Sequence, residues 1–444
     1  MKQFAVKIVL FYIKFFAKLT LLIHKPYTIG IAGSVGKSST RNAIYSILKD
    51  YFPTYDVKGN SETGVPLGIL GFKPGNYTFF DWIKVILASP FRIFNLWGSK
   101  YMVVEMGIDD PYPPKNMEYL LTIIKPDTAI SLNVSATHTM QFEKLLNQKP
   151  GNQNNHDFLL QKIAEEDTKI ITKSNCKIAI YNADDKWVSS EIKKADLKIP
   201  TLTFGEEKSN AIFFRKYEVN FEGTAFGLNS DRQIALYFQE SILPKAYQEV
   251  FAAAILATRD IVGSLEKAAS SLEKNFKLPN GRSSFFKGIN NSYIIDSSYN
   301  ASKTSVLEFV ELLKELKFKT KSPAVFLLGD MRELGGEAEA EHKEVAEKLP
   351  GIDYVYLVGP LTKQFVLSNL NVNDFKEIKW FEDSNAAGEF LMQNLPQKSI
   401  ILVKGSQNTI FLEEAVKKIL SNKEDVKKLC RQDKSWAKVK QFAS

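Results

Sequence analysis

The chain has 444 residues, of which 44% are hydrophobic and 24% charged, a composition that excludes a disordered chain and predicts two or three folded domains. Its net charge of +8 suits polyanionic ligands such as nucleotides or sugar diphosphates, or an anionic membrane surface, but no array of basic and aromatic residues indicates nucleic acid. The two cysteines, Cys176 and Cys430, are too few for a metal pattern or a disulfide framework, so we expect a reducing, cytoplasmic compartment.

The first predicted element is an apolar helix over residues 2–25 that carries Lys7, Lys14, Lys18 and Lys25. At about 100° per residue, these lysines fall on one narrow stripe of an amphipathic helix. A spanning helix rarely carries such a stripe, and a signal peptide needs a clean apolar core and a cleavage site of small residues. Two interpretations remain: the helix lies in the cytoplasmic membrane interface, or it packs its apolar side on the protein body. The wide, Phe-rich apolar face favours the first.

A phosphate-binding loop is predicted between a strand over residues 27–32 and a helix that runs to about Leu48. Glycines let backbone N–H groups point into such a turn, and the N-terminus of the helix adds partial positive charge. Lys37 would supply a full charge to a phosphate, and the Ser38 hydroxyl can join the ligand shell of Mg²⁺. The predicted nucleotide contacts in this loop are Gly33, Ser34, Val35, Gly36, Lys37, Ser38 and Ser39.

The glycine spacing of this loop differs from that of the ordinary P-loop. The stretch from Gly30 to Ser39 reads GxxGxxGKSS, and Ile31 stands where the ordinary pattern has its first glycine. The alternative is a glycine-rich turn that binds nothing. A lysine and two hydroxyls directly after Gly36, between a strand and a helix, favour nucleotide binding instead.

Residues 56–70 and 77–99 are two segments with more than one interpretation. In the first, Asn60 and Ser61 could touch a ligand, although local evidence alone favours an ordinary polar turn. The second is rich in Phe and Trp and is broken into two short pieces by Pro90. Core packing is the default for these aromatic residues, and a second membrane-facing patch beside the N-terminal helix is the alternative.

Polar side chains follow two further strand-like runs, 101–106 and 128–132. Glu105 lies near the end of the first run, and Asn133 and His138 follow the second. Because ligands of open parallel sheets sit beyond the carboxyl ends of the strands, these side chains are predicted to meet the loop around Lys37. A carboxylate and an imidazole beside a phosphate loop indicate Mg²⁺ ligation, although His is an unusual ligand for this ion.

The second half of the chain predicts a second α/β domain. Residues 141–157 are predicted to form an exposed loop, residues 201–240 alternate like strands, and Pro279, Asn280 and Gly281 mark a linker. Beyond the linker, strand-like and helical runs alternate regularly, which is typical of a doubly wound domain. The predicted fold is therefore α/β: a basic N-terminal helix over 1–25, a P-loop domain with a mostly parallel sheet over 26–279, and a Rossmann-like domain over 280–444.

These motifs together resemble the Mur ligase family over roughly residues 27–421. The phosphate loop is similar to the family's own, which also departs from the ordinary pattern, and the stretch GDMRELG at 329–335, with His342, is typical of the branch that adds D-Ala-D-Ala to a UDP-MurNAc-tripeptide. Further matching stretches are NSETGVP at 60–66, EMG at 105–107, Asn133 with His138, NADD at 182–185, Gly281 with Arg282, DSSYNA at 296–301 and KGS at 404–406.

The resemblance implies ATP- and Mg²⁺-dependent amide formation, in which an acyl phosphate formed on the acceptor carboxylate is displaced by an amine. It implies a cytoplasmic enzyme of peptidoglycan synthesis, which we expect to be a monomer, acting on a sugar-nucleotide peptide and D-Ala-D-Ala. The implied residues are, for catalysis, Lys37, Glu105, His138 and Asp167; for the metal, Ser38, Glu105 and His138; for adenine, Asn182; for ribose and phosphates, Arg282, Asp296 and Asn300; and for substrate, Asn60, Ser61 and Lys404.

Three departures from the family pattern matter, and one of them is that the family's G-x-H-N stretch reads Leu243-Pro244-Lys245-Ala246 here, so we expect a contact made there to be lost or remodelled. Members carry a UDP-binding domain of roughly a hundred residues before the phosphate loop, and here the loop begins after about 30 residues, so another mode of substrate anchoring is expected. Members also carry a carbamoylated lysine in an I-A-x-x-K run, and here Ile163-Ala164-Glu165-Glu166-Asp167 places Asp167 at that position. We hypothesise that Asp167, or Glu166 if the alignment slips by one, supplies the carboxylate directly.

Two other functions stay open at this stage. One is a different acid–amine ligase on the same scaffold, of the poly-γ-glutamate or pseudomurein type, with a membrane-associated substrate; the GDMRELG stretch disfavours it, and the missing UDP-binding segment favours it. The other is a non-catalytic nucleotide-binding scaffold at the membrane, which is disfavoured by the presence of Lys37, Ser38, Glu105 and His138.

Overall fold

The chain forms two compact units. The structure is a computed structural model that describes residues 2–73, 77–136, 139–150, 154–230, 233–332, 334–406, 410–433, 436–437 and 439–440. The first unit comprises Met1–Arg215, Gly227–Leu236 and Gln248–Phe276, and the second comprises Lys216–Phe226, Tyr237–Tyr247 and Lys277–Ser444. The predicted α/β fold class with mostly parallel sheets is confirmed, whereas the predicted domain boundaries stay predictions.

A nine-stranded sheet carries the phosphate loop, with the strand order β2-β3-β1-β4-β5-β6-β7-β8-β9. The pairings from β2 to β7 are parallel. Strand β1 lies between β3 and β4, so the loop that follows it lies beside the carboxyl ends of both neighbours. The strands are β1 Tyr27–Ala32, β2 Thr54–Asp56, β3 Tyr101–Glu105, β4 Thr128–Ser131, β5 Ile178–Asn182, β6 Thr201–Gly205, β7 Ile212–Asn220, β8 Gly223–Asn229 and β9 Gln233–Gln239.

Strand β1 is a buried parallel strand, and its sequence YTIGIA lacks the alternation of a half-exposed strand. Ile29, Ile31 and Ala32 are fully buried. Gly30 leaves room for the segment before β4, because a Cβ at this position would lie 2.9 Å from the Cβ of Pro126. This close packing fixes the position of β1 in the sheet, and with it the point at which the phosphate loop begins.

Helices precede and connect these strands. The helix α1 Lys2–His24 is followed by α2 Lys37–Leu48, α3 Gly64–Ile69, α4 Phe79–Ala88, α5 Met117–Leu121, α6 Thr139–Phe142, α7 Asn155–Asp167, α8 Lys169–Thr172, α9 Lys186–Lys194, α10 Tyr247–Val262 and α11 Leu265–Asn275, with short 3₁₀ helices at Ser89–Phe94 and Glu143–Gln148. The predicted end of α2 at Leu48 is confirmed. The predicted break at Pro90 is confirmed as well, because α4 ends at Ala88 and a 3₁₀ helix follows.

Helix α1 packs one face on the first unit, as the second interpretation of this segment predicts. Leu10 and Ile13 form a small cluster with Leu67 of α3 and Val85 of α4. Lys14 donates a 2.6 Å hydrogen bond to Thr122 Oγ1. None of the helices in the described ranges has the length and hydropathy that a membrane span requires.

The second unit contains a six-stranded sheet with the order β10-β11-β15-β12-β13-β14. Only the β10–β11 pairing is antiparallel among the pairings found for this sheet, and the other four are parallel. Its elements are β10 Ser284–Lys287, β11 Tyr293–Ser297, α12 Lys303–Thr320, β12 Ala324–Gly329, α13 Ala338–Lys348, β13 Tyr354–Val358, β14 Glu377–Phe381, α14 Ser384–Asn394, β15 Ile400–Lys404 and α15 Glu413–Ile419, with short helices at Gly335–Glu337, Thr362–Val366, Leu367–Asn369, Val372–Asp374 and Lys423–Lys428.

One local prediction, an exposed loop over 141–157, is wrong. Over its described residues, 141–150 and 154–157, the segment is not an exposed loop: it contains the end of α6, a 3₁₀ helix and the start of α7, and Phe142 and Leu145 are buried. Although the segment is rich in polar residues, the side chains of Phe142 and Leu145 pack into the core of the first unit.

Candidate active site

The phosphate loop joins β1 to α2 with its two turn glycines in the left-handed region, Gly33 at φ 134° and Gly36 at φ 90°. A Cβ on Gly33 would lie 3.0 Å from the Cβ of Leu132 and 3.1 Å from the backbone nitrogen of Asn133. The loop is tied to the end of β4, because Ser34 N donates to Asn133 O at 2.8 Å and Val35 N donates to Asn133 Oδ1 at 2.9 Å. Asn133, predicted from its position after a strand, is therefore a structural part of the loop.

Lys37 and Ser38 are the first two residues of helix α2, and their side chains have different partners. Lys37 Nζ donates to the carbonyl oxygens of Gly33 and Ser34, so its charge lies over the loop backbone. Ser38 Oγ donates to Glu105 Oε2 at 2.7 Å. The predicted meeting of Glu105 with the phosphate loop is thus present, and it rests on the parallel pairing of β1 with β3.

Arg41, one turn further along α2, compensates the charge of Glu105. Its guanidinium lies 3.2 Å from Glu105 Oε1 and 2.9 Å from Asp56 Oδ1 at the end of β2. Glu105 is 6% exposed, and a buried carboxylate requires a cation or several donors. Arg41 was not among the predicted site residues, although its position three residues after Ser38 on one helix face could have indicated it.

A second group of polar side chains lines the carboxyl ends of β4 and β5. Asn133 Nδ2 donates to Glu249 Oε2 at 3.3 Å, and the Asn182 side chain lies near the same carboxyl. Burial, together with the charges of Asp185 and Asp184, raises the pKa of Glu249 to about 7. Asn182, predicted to contact adenine, is 3% exposed and accepts a 3.0 Å bond from Asp184 N. Its predicted role stays a prediction.

Asp167, at the end of α7, lies beside the phosphate loop. The Asp167 carboxyl lies near the backbone N–H of Gly33 and interacts with the charge of Lys37. Burial raises the pKa of Asp167 to about 7, and the Lys37 charge opposes that rise. Glu166 faces elsewhere: it accepts from Met117 N at 3.3 Å and pairs with Lys169. Of the two residues in the hypothesis, Asp167 is the one next to the loop.

The raised pKa of Asp167 predicts a pH-dependent stability. A carboxyl with a folded-state pKa near 7 and an unfolded value near 3.8 keeps its proton longer in the folded state, so it lowers stability as pH rises from about 4 to about 7. Asp167→Asn keeps a side chain of the same size and removes the titration. We expect the variant to gain on the order of 1–3 kcal/mol over the wild type between pH 5 and pH 8. Urea unfolding at both pH values measures this, and an equal difference at both would contradict it.

The predicted substrate residues Asn60 and Ser61 lie in the loop before α3. Gly107 N donates to Asn60 O at 2.8 Å, so this loop adjoins the EMG segment that follows β3. Ser61 Oγ accepts from Gly64 N at 3.1 Å, which places Ser61 at the N-terminus of α3. His138, predicted as a metal ligand and catalytic residue, lies outside the described residues. The roles of all three stay predictions.

In the second unit, three predicted stretches meet at the carboxyl ends of β11, β12 and β15. Lys404 Nζ donates to Asn300 O at 3.0 Å and lies 3.4 Å from Ser297 Oγ. Ser406 N donates to Asp330 O at 3.0 Å, and Ser406 Oγ donates to Ala301 O at 3.2 Å. The KGS, GDM and YNA segments therefore form one hydrogen-bonded edge of the sheet.

Asp296 and Lys404 are both buried at this edge. Burial raises the pKa of Asp296 to about 6 and lowers the pKa of Lys404 to about 7. In the part of the chain that the structure describes, Asp296 Oδ2 has no hydrogen-bond partner, whereas Oδ1 accepts from Ser298 N at 3.0 Å. A buried carboxylate oxygen without a donor fits the predicted contact with a ribose hydroxyl. Arg282 lies over the ring of Tyr299, 4.7 Å from its centroid.

His342 has a structural part in this edge. Its Nδ1 lies 2.7 Å from Ala338 O, and its Nε2 accepts from Met331 N at 3.1 Å. These partners require a proton on Nδ1 and none on Nε2, so the ring is neutral. Burial lowers the pKa of His342 in agreement with that state. The ring holds the GDM turn in place.

The oxygen ligands of the first unit fit Mg²⁺. Mg²⁺ is usually held by one or two protein oxygens together with substrate phosphates. The Ser38 hydroxyl and the Glu105 carboxylate lie side by side at the start of the phosphate loop helix. Among the described residues, no group of three or more His, Cys, Asp or Glu side chains is placed to hold a metal without such phosphates. The loop backbone and Lys37 fit the phosphates of a nucleotide.

Comparison with known proteins agrees with these features. Residues 281–407 match the family described as Mur ligase, glutamate ligase domain. The resemblance to the Mur ligases is confirmed. The chain is 25% identical over 398 residues to the UDP-N-acetylmuramoyl-tripeptide–D-alanyl-D-alanine ligase of Borreliella burgdorferi, covering 85% of this chain and 72% of that protein. It is 25% identical over 402 residues to the enzyme of the same name from Escherichia coli, covering 89% and 77%.

The Mur ligase fold extends through both units. A crystal structure of the MurF ligase from Thermotoga maritima in complex with ADP superposes with a TM-score of 0.71 at 21% identity, covering 94% of this chain and 84% of that one. At this identity the likeness concerns the fold. The Mur ligase match to residues 281–407 includes the edge formed by Asp296, Asp330 and Lys404.

Proposed function

We propose that this chain is an ATP-dependent peptide ligase that adds D-Ala-D-Ala to a UDP-MurNAc-peptide in peptidoglycan precursor synthesis in the cytoplasm. The observation that carries this proposal is the phosphate loop itself, where Lys37, Ser38 and Glu105 are placed together as a cation, a hydroxyl and a carboxylate. The names of the relatives from Borreliella burgdorferi and Escherichia coli supply the substrates. A bound nucleotide would supply the phosphoryl group that activates the acceptor carboxylate.

The residues of the chain would then act by position and charge. Backbone N–H groups of the loop and Lys37 would hold the phosphates, and Lys37 would balance charge that develops as a phosphoryl group leaves. Ser38 and Glu105 would hold Mg²⁺, with His138 as a further candidate ligand. In the second unit, Asp296 and Asn300 would hold ribose and phosphates, and Arg282 would contact phosphate. Asn182 would contact adenine.

The experiment that tests the proposed function measures phosphate release from ATP by the full chain. UDP-MurNAc-tripeptide and D-Ala-D-Ala are added separately and together, and the ligated product is identified by mass spectrometry. We expect release only when acceptor, amine and Mg²⁺ are all present. Absence of product with a panel of muropeptides that differ in their third residue would overturn the proposal. Product with a glutamate polymer in place of the muropeptide would assign the chain to the alternative ligase class.

Asp167 is proposed to supply directly the carboxylate that other family members obtain from a carbamoylated lysine. We expect Asp167→Asn to lower kcat about a hundredfold, because the substitution removes a negative charge beside Lys37 while the side chain at position 167 keeps its size. Wild-type activity is expected to be the same in CO₂-depleted buffer and in added bicarbonate. Steady-state kinetics in both buffers checks this, and stimulation of the wild type by bicarbonate would show that a lysine elsewhere is carbamoylated.

A further inference from the structure

Helix α1 has two apolar faces, and only one of them is covered. Leu10, Ile13 and Ala17 are buried on the body of the first unit. On the opposite side, Phe11 is 71%, Phe15 53% and Leu22 65% exposed. At about 100° per residue these three side chains fall within about 40° of the helix circumference. A surface helix of a water-exposed protein places polar residues on that side.

The exposed face continues onto the segment that packs beside α1. Tyr12 Oη donates to Ile86 O at 2.9 Å, and His24 Nε2 lies 2.9 Å from Ile93 O, so α1 lies alongside α4 and the 3₁₀ helix after it. That segment exposes Leu87, Phe91 and Trp97, the last two to 82% and 76%. We call the set Phe11, Phe15, Leu22, Leu87, Phe91 and Trp97 the apolar face. An apolar patch of this kind marks an interaction site.

Positive charge borders the apolar face. Helix α1 contains no Asp or Glu, and its exposed Lys7 and Lys18 form a stripe directly beside Phe11 and Leu22 on the helix circumference. The exposed Lys25 follows directly after the last residue of the helix. On α4 the exposed Lys84 has Asp81 at 3.7 Å, and Asp81 is already engaged in a capping box with Thr78.

A cleft opens at the end of this stripe. It has a volume of about 300 Å³ and is lined by Lys18, Lys25 and Lys125 together with apolar side chains that include Leu22. The one carboxylate among its lining residues, Asp127, is paired with Lys177 at 2.8 Å and accepts from Thr28 N. The three lysines therefore face a shared space that adjoins the apolar face through Leu22. A headgroup phosphate with acyl chains beside it matches this combination of charges and apolar side chains.

We propose that the apolar face and the lysine cleft dock the protein on an anionic phospholipid bilayer, with the aromatic side chains in the interface and headgroup phosphates at Lys18 and Lys25. A helix with aromatic and aliphatic residues on one side and lysines along its border binds such surfaces in this way. A second copy of the chain fits less well, because an apolar contact between two such faces would bring the two lysine stripes together. This inference does not depend on the proposed ligase activity.

Vesicle co-sedimentation of the full chain tests the proposal. The probes are vesicles of phosphatidylcholine alone and of phosphatidylcholine with phosphatidylglycerol at 3:1, each at low and high salt. We expect binding to the anionic vesicles that weakens at high salt, and at least about tenfold weaker binding to the neutral ones. Phe11→Ser/Phe15→Ser/Phe91→Ser and Lys18→Glu/Lys25→Glu should each weaken binding at least about tenfold.

Phe318→Ser is the matched control, since Phe318 is an exposed aromatic residue of α12 in the second unit and is 74% exposed. It should bind like the wild type, and circular dichroism shows whether each variant is folded. Three outcomes would overturn the proposal: no binding of the wild type to anionic vesicles, equal binding by folded patch variants, or concentration-dependent dimers that the patch variants abolish without any vesicle binding.

Discussion

Replacing Lys37 with alanine is expected to lower kcat for ATP-dependent ligation at least about a thousandfold, with the fold unchanged. Lys37 is the one cation whose Nζ lies over the loop backbone, at the carbonyls of Gly33 and Ser34, among the described residues of this loop. A preorganised cation aimed at a transferring phosphoryl group is worth about 3–4 kcal/mol or more. Single-turnover measurement of phosphate release separates this effect on chemistry from an effect on nucleotide binding.

The loss has a second component, because Lys37 also affects Asp167. The Lys37 charge lowers a pKa that burial raises to about 7, so without it Asp167 should hold its proton more firmly at neutral pH. Lys37→Ala would then remove a cation and neutralise a carboxylate together. The double variant Lys37→Ala/Asp167→Asn should therefore lose little activity beyond Lys37→Ala alone. Fully multiplicative losses would show that the two side chains act independently.

Lys49→Ala is the matched control for this series. Lys49 is the C-cap residue of the same helix, at the opposite end from the loop, and its Nζ lies 5.3 Å from the ring centroid of Tyr45. It carries the same charge without contact to the loop, so its removal should leave kcat within about twofold. A comparable loss in Lys49→Ala would mean that net charge on α2, and not the position of Lys37, governs activity.

The sequence predicts the phosphate loop well because its signals are local. Gly33, Gly36 and Lys37 stand within five residues, and each requires a particular backbone geometry or charge at the start of α2. Glu105 is predictable for a different reason: it ends a buried strand, and the parallel pairing of β1 with β3 brings it to the loop. The end of a buried strand can be predicted from the end of an apolar run. Because ligands of parallel sheets lie beyond the carboxyl ends of the strands, a polar residue at that position is predicted to be a site residue.

Hydrogen-bond partners of site residues that lie on helices distant in sequence cannot be predicted from local sequence patterns. Glu249 begins a helix more than a hundred residues after Asn133, and nothing local indicates that the two side chains meet. Glu166 and Asp167 are neighbours in sequence, but on a helix consecutive side chains point about 100° apart, so one faces Lys169 and the other faces the phosphate loop. The choice between them needed the position of α7 against the sheet.

The tail of the second unit shows the same limitation most clearly. The segment after residue 423 is rich in charged residues, and Arg431 is buried there against Glu413 of α15. Arg431 also donates to Ser298 O at 2.8 Å and Tyr299 O at 3.1 Å, in the turn that follows Asp296. The tail thus positions the turn that carries the predicted ribose contact. Charge composition alone cannot distinguish such a residue from a solvated one.

Glu413→Ala is therefore expected to lower the free energy of unfolding by about 3–5 kcal/mol. Glu413 is 0% and Arg431 2% exposed at the side chain, with two hydrogen bonds of 2.9 Å and 2.8 Å between them, and Lys440 lies 2.7 Å from the same carboxylate. The variant leaves a guanidinium buried without its carboxylate, and the cost of that desolvated charge exceeds the strength of the pair itself. Urea unfolding followed by tryptophan fluorescence measures the change.

Two variants separate the unpaired charge from other causes. Glu414→Ala removes the neighbouring carboxylate, which is paired with Lys417 at 2.8 Å and is partly solvated, so its cost should stay within about 1 kcal/mol. Glu413→Leu/Arg431→Met replaces both charges by apolar side chains and should recover most of the stability that Glu413→Ala loses, because no charge is left buried alone. If the double variant is as unstable as Glu413→Ala, the loss comes instead from the contacts of Arg431 with the turn at Ser298 and Tyr299. In that case, the ligase activity of the double variant, measured at low temperature where it is folded, tests whether Asp296 depends on the turn for its position. Low activity would show that the contacts of Arg431 with the turn, and not the ion pair, position Asp296.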